Sequence, residues 1–440
     1  MTRPYASGDP PVRLAAFAAL GVAQAVVYLA LATWPGYQAA PKLVVALAGG
    51  AFLLYLAALS TARPLAGGWA FLFALALGLL FRALLVPKAP FLSDDYFRYL
   101  WDGTVQLRGI NPYRYAPADS ALAGVDDAVR AQVNHPHVNT IYPPLAQIAF
   151  ALNAAMAGGW LSLKLLWLAC DAGIAALVYR LVPSKRRLQL WTLYWWSPLV
   201  VVEVAWNAHL DLLGALPIVA AVWLTRRPGA PSSRLGLTVA AGALVKPFPL
   251  AMLPAAARGA NAARVTATFV ACLALAYIPY VGAGRHLFAG LVTYAAAWRF
   301  NDGLFVVLAW LTGSPFVAKI AAVVIILLFV VQSVRDLWTF ERTALWMTGA
   351  MLILSPTVHP WYLLWMVPLI AIRPNRAWLY LSGSVFAAYY GLATYRSEGV
   401  WPEPWWLRLA IYGPFFLLLV GDAWRGSGWP SPWRLVTTRR

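Results

Sequence analysis

Apolar runs close to the ~20 residues that cross a bilayer recur along almost the whole chain, and this leaves little choice of fold. Inside hydrocarbon every backbone N–H and C=O must find its partner within the protein, so runs of this length become helices. Of the 440 residues, 61% are hydrophobic and 11% charged, where soluble domains carry about a quarter charged residues. The chain reads as an all-α polytopic membrane protein. Spanning candidates are 13–33, 42–60, 69–87, 162–182, 188–206, 209–225, 263–281, 316–334, 343–358, 360–372, 376–394 and 405–424, about twelve crossings with 11 to 14 as the outer bounds.

Charge orients them. A formal +18 would suggest nucleic acid in a soluble protein, but here the basic residues fall between apolar runs: SKRR at 184–187, TRR at 225–227 and RR at 439–440. That is the positive-inside pattern, and no nucleic-acid partner is expected. With the N-terminus inside, twelve crossings leave Arg63, the 185–187 cluster, Arg226 to Arg234, Arg335 to Arg342, Arg373 to Arg376 and the basic tail 425–440 in the cytoplasm, and residues 88–142 outside. Trp34, Trp69, Trp160, Trp401, Trp405 and Trp406 lie near run ends, as interfacial aromatics do. Arg3 and Arg13 precede the first run as in a signal peptide, but without a small-residue cleavage site it reads as the first helix. Cys170 and Cys272 sit within apolar runs and match no metal or redox spacing.

Two segments resist the scheme. The run 143–158 is short and opens on Pro143 and Pro144, and 235–257 is interrupted by KPFP at 246–249. Full crossing by either would carry basic clusters outside. Both read as half-crossing, re-entrant segments, which a membrane tolerates where irregular backbone is buried in protein or lines a wet cavity. A cavity near the outer face follows.

Polar groups gather on that side: Asp94, Asp95, Arg98 and Asp102 in the outer loop, Asn207, His209 and Asp211 in WNAHLD, Lys246 in the broken segment, and His359 in SPTVHPWY. Ionisable groups at membrane depth are costly, so each is a functional candidate. SDDYFRYLWDG begins a helix, with Ser93 or Asp94 as N-cap. Capping accounts for one acid but not two, and Asp95, Tyr99 and Asp102 repeat at helical spacing, so Asp95 and Asp102 are expected to face a common site. In NPYRYAP, Tyr113 and Arg114 suit a sugar or phosphate, or serve as interfacial anchors. Tyr142 in TIYPPL binds substrate or merely packs. Glu203, His209 and Asp211 are close enough across a turn to orient one another; they could hold a divalent ion, although no zinc spacing is present and no cofactor is expected. Lys246 needs an anion, either a phosphate or an internal Asp. Flanking prolines aim His359, unless its ring is simply bonded to a carbonyl.

These motifs, in this order, resemble bacterial polyprenyl-phosphate-dependent glycosyltransferases of the GT-C superfamily, especially family 87 and related mannosyltransferases. The segments that carry the likeness are the DD before YFRYLWDG, NPYRYAP, YPPL, NAHLD and SPTVHPWYLLW, and it extends over roughly residues 69–422. The resemblance implies a GT-C-like transmembrane catalytic module over 69–424, with extracytoplasmic loop 88–142, preceded by two helices in 1–68 and followed by the tail. It implies an inverting transfer of a sugar, commonly mannose, from a polyprenyl phosphate to a glycan or glycolipid hydroxyl at the outer face of the plasma (inner) membrane. An acid of the outer loop is then the base. Asp95 is the first choice because a Tyr follows four residues later, as in many relatives; Asp94 is the second. A base must reach the attacking hydroxyl, and cations must hold the departing phosphate. Lys246, His359 and Arg98 are assigned to the phosphate. Substrate contacts are assigned to His209, Asp211, Asn207, Glu203, Asp102, Tyr99, Tyr113, Arg114, Tyr142 and Trp361, and membrane lipids surround the protein. A lipid-linked glycan polymerase or ligase would use similar residues with a diphosphate donor. A carrier is the rival from another class, but no internal repeat is visible and the polar groups lie toward one face.

Overall fold

A computed structural model describes residues 10–36, 40–63, 65 and 67–424. Arg3 and the tail 425–440 lie outside the described residues. Within them the protein is helical, and the one β feature is an isolated bridge between Phe300 and Thr357.

Seven helices are long and apolar enough to cross a membrane: Pro11–Thr33, Pro41–Ala62, Gly68–Leu85, Trp160–Leu181, Gly259–His286, Pro315–Arg335 and Trp405–Asp422. Local chemistry starts some of them cleanly. Pro315 fills the first helical position, where its missing N–H costs nothing, and the Ser314 side chain caps the Val317 N–H. That helix exposes Ile320, Val323, Val324, Leu327, Leu328 and Val331, a surface suited to lipid and costly in water. The molecule is a polytopic α-helical membrane protein.

The other five expected runs are shorter or broken. Asp211–Thr225 and Phe340–Leu354 are helices of 15 residues each. The run 188–206 divides into Arg187–Trp195, a turn at Pro198–Val200 and π-helix Val201–Trp206; 360–372 divides into 3-10 turn Pro360–Trp365 and helix Val367–Ile372; 376–394 begins with Arg376–Ser384 and continues as 3-10 helix Val385–Gly391. These pieces form the bundle's interior, where Trp196, Trp206, Trp365 and Trp378 are buried. Irregular backbone is tolerated there because protein, not lipid, surrounds it.

The two resistant segments meet. Residues 143–158 form the helix Pro144–Ala155, while helix Ser232–Ala243 stops at a turn through Lys246 before 3-10 helix Phe248–Met252. The Leu145 N–H, which begins the first, donates to the Leu244 carbonyl at the break in the second (3.0 Å). Helix Asp95–Leu107 rests on Pro144–Ala155 through Gly103. A Cβ there would lie 2.3 Å from the Phe150 carbonyl oxygen, so only glycine permits this approach.

One end of the bundle is basic. Arg226 donates to the Leu181 carbonyl (2.8 Å) and pairs with Glu341 (3.2 Å); Arg258 holds the Trp338 carbonyl (2.7 Å); Arg376 pairs with Asp422 (2.5 Å). The same helices carry Asp211, Ser355 and Trp405 at their other ends, and the polar loops gather there. Arg82, in the last turn of Gly68–Leu85, and Asp171 form a buried pair at 2.5 Å. Arg82 also donates to the Gly78 and Trp195 carbonyls (2.9 Å each), and Asp171 accepts from the Tyr194 hydroxyl (2.8 Å).

Candidate functional site

At the end opposite the basic loops a cavity of about 480 Å³ opens, lined among others by Asp94, Asp95, Arg98, Asp211, Lys246 and His359. Its size falls within the ~300–1,000 Å³ of small-molecule sites. Three separate stretches of sequence meet here because helix Asp95–Leu107, the broken segment and the turn at 355–361 pack around the N-terminal end of Asp211–Thr225.

Asp94 occupies the N-cap position of Asp95–Leu107, yet its side chain makes no capping bond. Ser93 Oγ instead accepts the Asp95 N–H (3.2 Å). Both carboxylates are left for the cavity, and a single amide ties them together: Asn134 Nδ2 donates to Asp94 Oδ1 at 2.7 Å and Asp95 Oδ1 at 3.1 Å. Asp95 faces the cavity and not bulk solvent. Desolvation foremost, then the Asp94 charge, pushes its carboxyl up to about 7, while Asn134 and Lys246 pull the other way.

Lys246 is not an isolated cation. It donates to Asp211 Oδ1 at 2.5 Å, the internal Asp that the sequence leaves open beside a phosphate. The same oxygen accepts Trp365 Nε1 (2.8 Å), and the ammonium also lies 3.7 Å from the centre of the Tyr362 ring. Gly214 makes room, since a Cβ there would lie 2.1 Å from Trp365. Asp211 Oδ2 is buried with no hydrogen-bond partner among the described residues.

Arg98 lines the cavity but is engaged, its Nε on Asp102 (2.9 Å) and its Nη1 on the Val138 carbonyl (3.0 Å). Asp102 does not share Asp95's site. It is 2% exposed and also accepts from Thr140 Oγ1 (2.5 Å) and Gln147 Nε2 (2.9 Å), which turns it into the packing against Pro144–Ala155. Tyr99 and Tyr142 line the cavity, with Tyr99 stacked on Phe150. Tyr113 and Arg114 lie away from it: the Tyr113 hydroxyl donates to the Tyr142 carbonyl (2.7 Å), and Arg114 lies over Tyr115.

From the cavity wall inward, Phe300, His359, Trp361 and His209 form successive near-parallel contacts, with ring centres 4.7, 4.4 and 3.9 Å apart. Phe300, His359 and Trp361 line the cavity; His209 does not. Neither His209 nitrogen has a hydrogen-bond partner among the described residues, so it is not oriented by Asp211, and its nearest acid is Glu203 Oε2 at 3.5 Å. Glu203 accepts from the Tyr389 hydroxyl (3.0 Å). Asn207 accepts the Phe91 and Leu92 N–H groups (3.1 and 2.9 Å). Glu203 and Asn207 therefore anchor the approach to the two acids from behind. Ala208, in the same turn, holds φ 61, a strain that persists only where surroundings enforce it.

Arg299, Arg396 and Asn134 also line the cavity and were not singled out from sequence. Arg299 pairs with Asp302 (2.6 Å), which Arg408 also holds (3.1 Å), and the adjoining residue Phe300 bridges to the 356–358 turn. Arg396 donates to the Phe91 carbonyl. No group of three or more His, Cys, Asp or Glu among the described residues is placed to hold a metal ion. No family model, curated protein or solved structure matches the chain.

Proposed function

We propose that the protein is an inverting, GT-C-like glycosyltransferase that moves a sugar, mannose in the first instance, from a polyprenyl phosphate to a glycan or glycolipid hydroxyl. The observation that carries this reading is a pair of carboxylates, Asp94 and Asp95, on the wall of a cavity whose other walls bring Lys246, Arg98, Arg299 and His359. An acid pushed up to about 7 and the cations Lys246, Arg98 and Arg299 beside it suit transfer from a phosphate leaving group. Asp95 removes the proton from the acceptor hydroxyl as that oxygen attacks the anomeric carbon. The bond from that carbon to the phosphate oxygen breaks with its electron pair on the phosphate, and the configuration inverts. Lys246 and Arg98 offset the charge that develops there, joined by Arg299; burial foremost, then the Lys246 charge, pushes His359 down to about 3, so it serves the phosphate as a neutral hydrogen-bond donor. A phosphate departs without a general acid, so one catalytic carboxylate suffices.

The proposed topology places the twelve runs across the plasma membrane, with 143–158 and 235–257 re-entrant. The basic end faces the cytoplasm, and the cavity opens on the extracytoplasmic side. The separation of Arg226, Arg258 and Arg376 from the cavity along the helices supports this orientation. Purified protein incubated with a panel of labelled polyprenyl-phospho-sugars and a glycolipid acceptor tests the reading. Labelled acceptor is expected from at least one monophosphate donor, and transfer from diphosphate donors alone would replace it with a polymerase or ligase.

A further inference from the structure

The sequence around Asn134, VNHPHVN, carries no recognisable site signal. Its backbone does. His135 holds φ 45 immediately before Pro136, where a non-glycine residue is disfavoured twice over, by the positive φ and by the following ring. Such strain is kept when the surroundings over-determine it. Here they do: the His135 ring meets Trp298 edge-on at 4.7 Å, the Val138 carbonyl accepts from Arg98, and Asn139 Nδ2 donates to the Tyr113 carbonyl (2.9 Å). The strained turn delivers the Asn134 amide to both acids at once.

We infer that Asn134 is a positioning residue for the acid pair: each hydrogen of its amide holds one carboxylate, so that Asp95 keeps an oxygen for the acceptor hydroxyl while Asp94 is fixed beside it. This rests on the proposed transferase reading. The chemistry is specific to an amide. With the carbonyl turned inward, the side chain would oppose two anions; with the amino group inward it donates to both. As Asp95 takes the acceptor proton, its bond from Asn134 weakens and the amide is left on Asp94, so the 131–139 segment follows the state of the pair. The charged and titratable groups that share the cavity with Asp95 are Asp94 at the helix N-cap, Tyr96, Arg98 and Tyr99 on its own helix, and His135, Tyr142, Asp211, Lys246, Tyr294, Arg299, His359, Tyr362, Tyr389, Tyr395 and Arg396. None of the others is held to both carboxylates by hydrogen bonds.

The test uses full-length protein in detergent. In wild type, difference infrared spectroscopy follows the carboxylic C=O band that is lost in Asp95→Asn, giving the Asp95 midpoint without any turnover. Asn134→Ala removes both donated bonds and is expected to raise that midpoint by about one pH unit. Asn134→Asp keeps the volume, adds a charge and is expected to raise it further. Where transfer is measurable, the ascending limb of kcat against pH should move up with the midpoint, and the lost rate should return at alkaline pH while the donor KM holds. A midpoint unchanged or lowered in both variants overturns the assignment, as does a rate loss equal at every pH. If wild type transfers no sugar from any donor, the infrared midpoints still decide the role of Asn134, and only the transferase reading falls.

Discussion

Two buried ion pairs, Arg82–Asp171 and Lys246–Asp211, have the same 2.5 Å contact and lie in the same bundle, yet their surroundings differ. Around Arg82 every neighbour is spoken for: two carbonyls and both oxygens of Asp171 take its hydrogens, Tyr194 completes the carboxylate, and the side chains are 6% and 1% exposed. Around Lys246 there is capacity to spare. Its side chain is 19% exposed toward the cavity, and Asp211 Oδ2 has no hydrogen-bond partner among the described residues. A charge pair in a membrane bundle is therefore not functional by position alone. On the proposed reading the sealed, fully bonded pair is scaffold, and the pair open on one side to the cavity is the one that meets a ligand.

The comparison breaks most readily at the sealed pair. Asp171→Asn leaves Arg82 buried without a counter-charge, which should cost ~3–5 kcal/mol and be seen as a large drop in thermal midpoint or folded yield. Binding of a non-reactive polyprenyl phosphate by the protein that does fold should be unchanged. Wild-type stability joined to lost phosphate binding would reverse the two roles.

The open pair should answer the other way. A single Lys246→Met would strand Asp211, so the informative variant is the double change Lys246→Met/Asp211→Asn, which removes both charges and keeps an acceptor for Trp365. Its stability should stay within about 1 kcal/mol of wild type, because neutral replacement of a buried pair is tolerated. Affinity for polyprenyl phosphate should fall roughly 10–100-fold, the loss of a hydrogen bond to a charged group. Equal affinity would leave Lys246 as scaffold too.

How much of this was legible in the sequence depends on the range of the interaction that fixes each residue. The helix start at Asp94 and Asp95, the break at Lys246 and Pro247, and the fixed turn around His359 are local, set by capping, proline and charge, and they come together as expected. Arg82 with Asp171, and Asn134 with the acids, pair across 89 and 40 or 39 positions of sequence, and no local pattern announces them. Asp102 shows the limit of periodicity. It lies two helical turns after Asp95 on one face, but Thr140 and Gln147 draw it into the interface with Pro144–Ala155. Tyr113 and Arg114 failed to reach the cavity for the same reason, since the fold of the loop and not its composition decides where they point. In WNAHLD the residue types were informative while their partners were not: Asp211 holds Lys246, and His209 lies on Trp361.

A smaller effect sharpens the electrostatics of the site. Asp95 titrates at about 7, raised by burial and by Asp94. The base form grows above that value, so turnover should rise as pH increases through about 7. Asp94→Asn removes a charge that raises the Asp95 value, and should move the ascending limb to lower pH while leaving its plateau within a few-fold. The stability sign is opposite. A carboxyl raised from 3.8 to about 7 holds its proton better in the folded protein, so stability contributed at low pH is lost as pH climbs through that window. An unmoved limb in Asp94→Asn would mean that another group titrates there.

The central claim, that Asp95 is the base, is tested most directly by Asp95→Asn assayed at saturating donor beside wild type and Asp94→Asn. Turnover should fall by the ~10²–10⁴ typical of a lost general base, with polyprenyl-phosphate affinity within about twofold and an unchanged thermal midpoint. Near-normal turnover in Asp95→Asn with a dead Asp94→Asn would move the role one residue, and normal turnover in both would contradict the account.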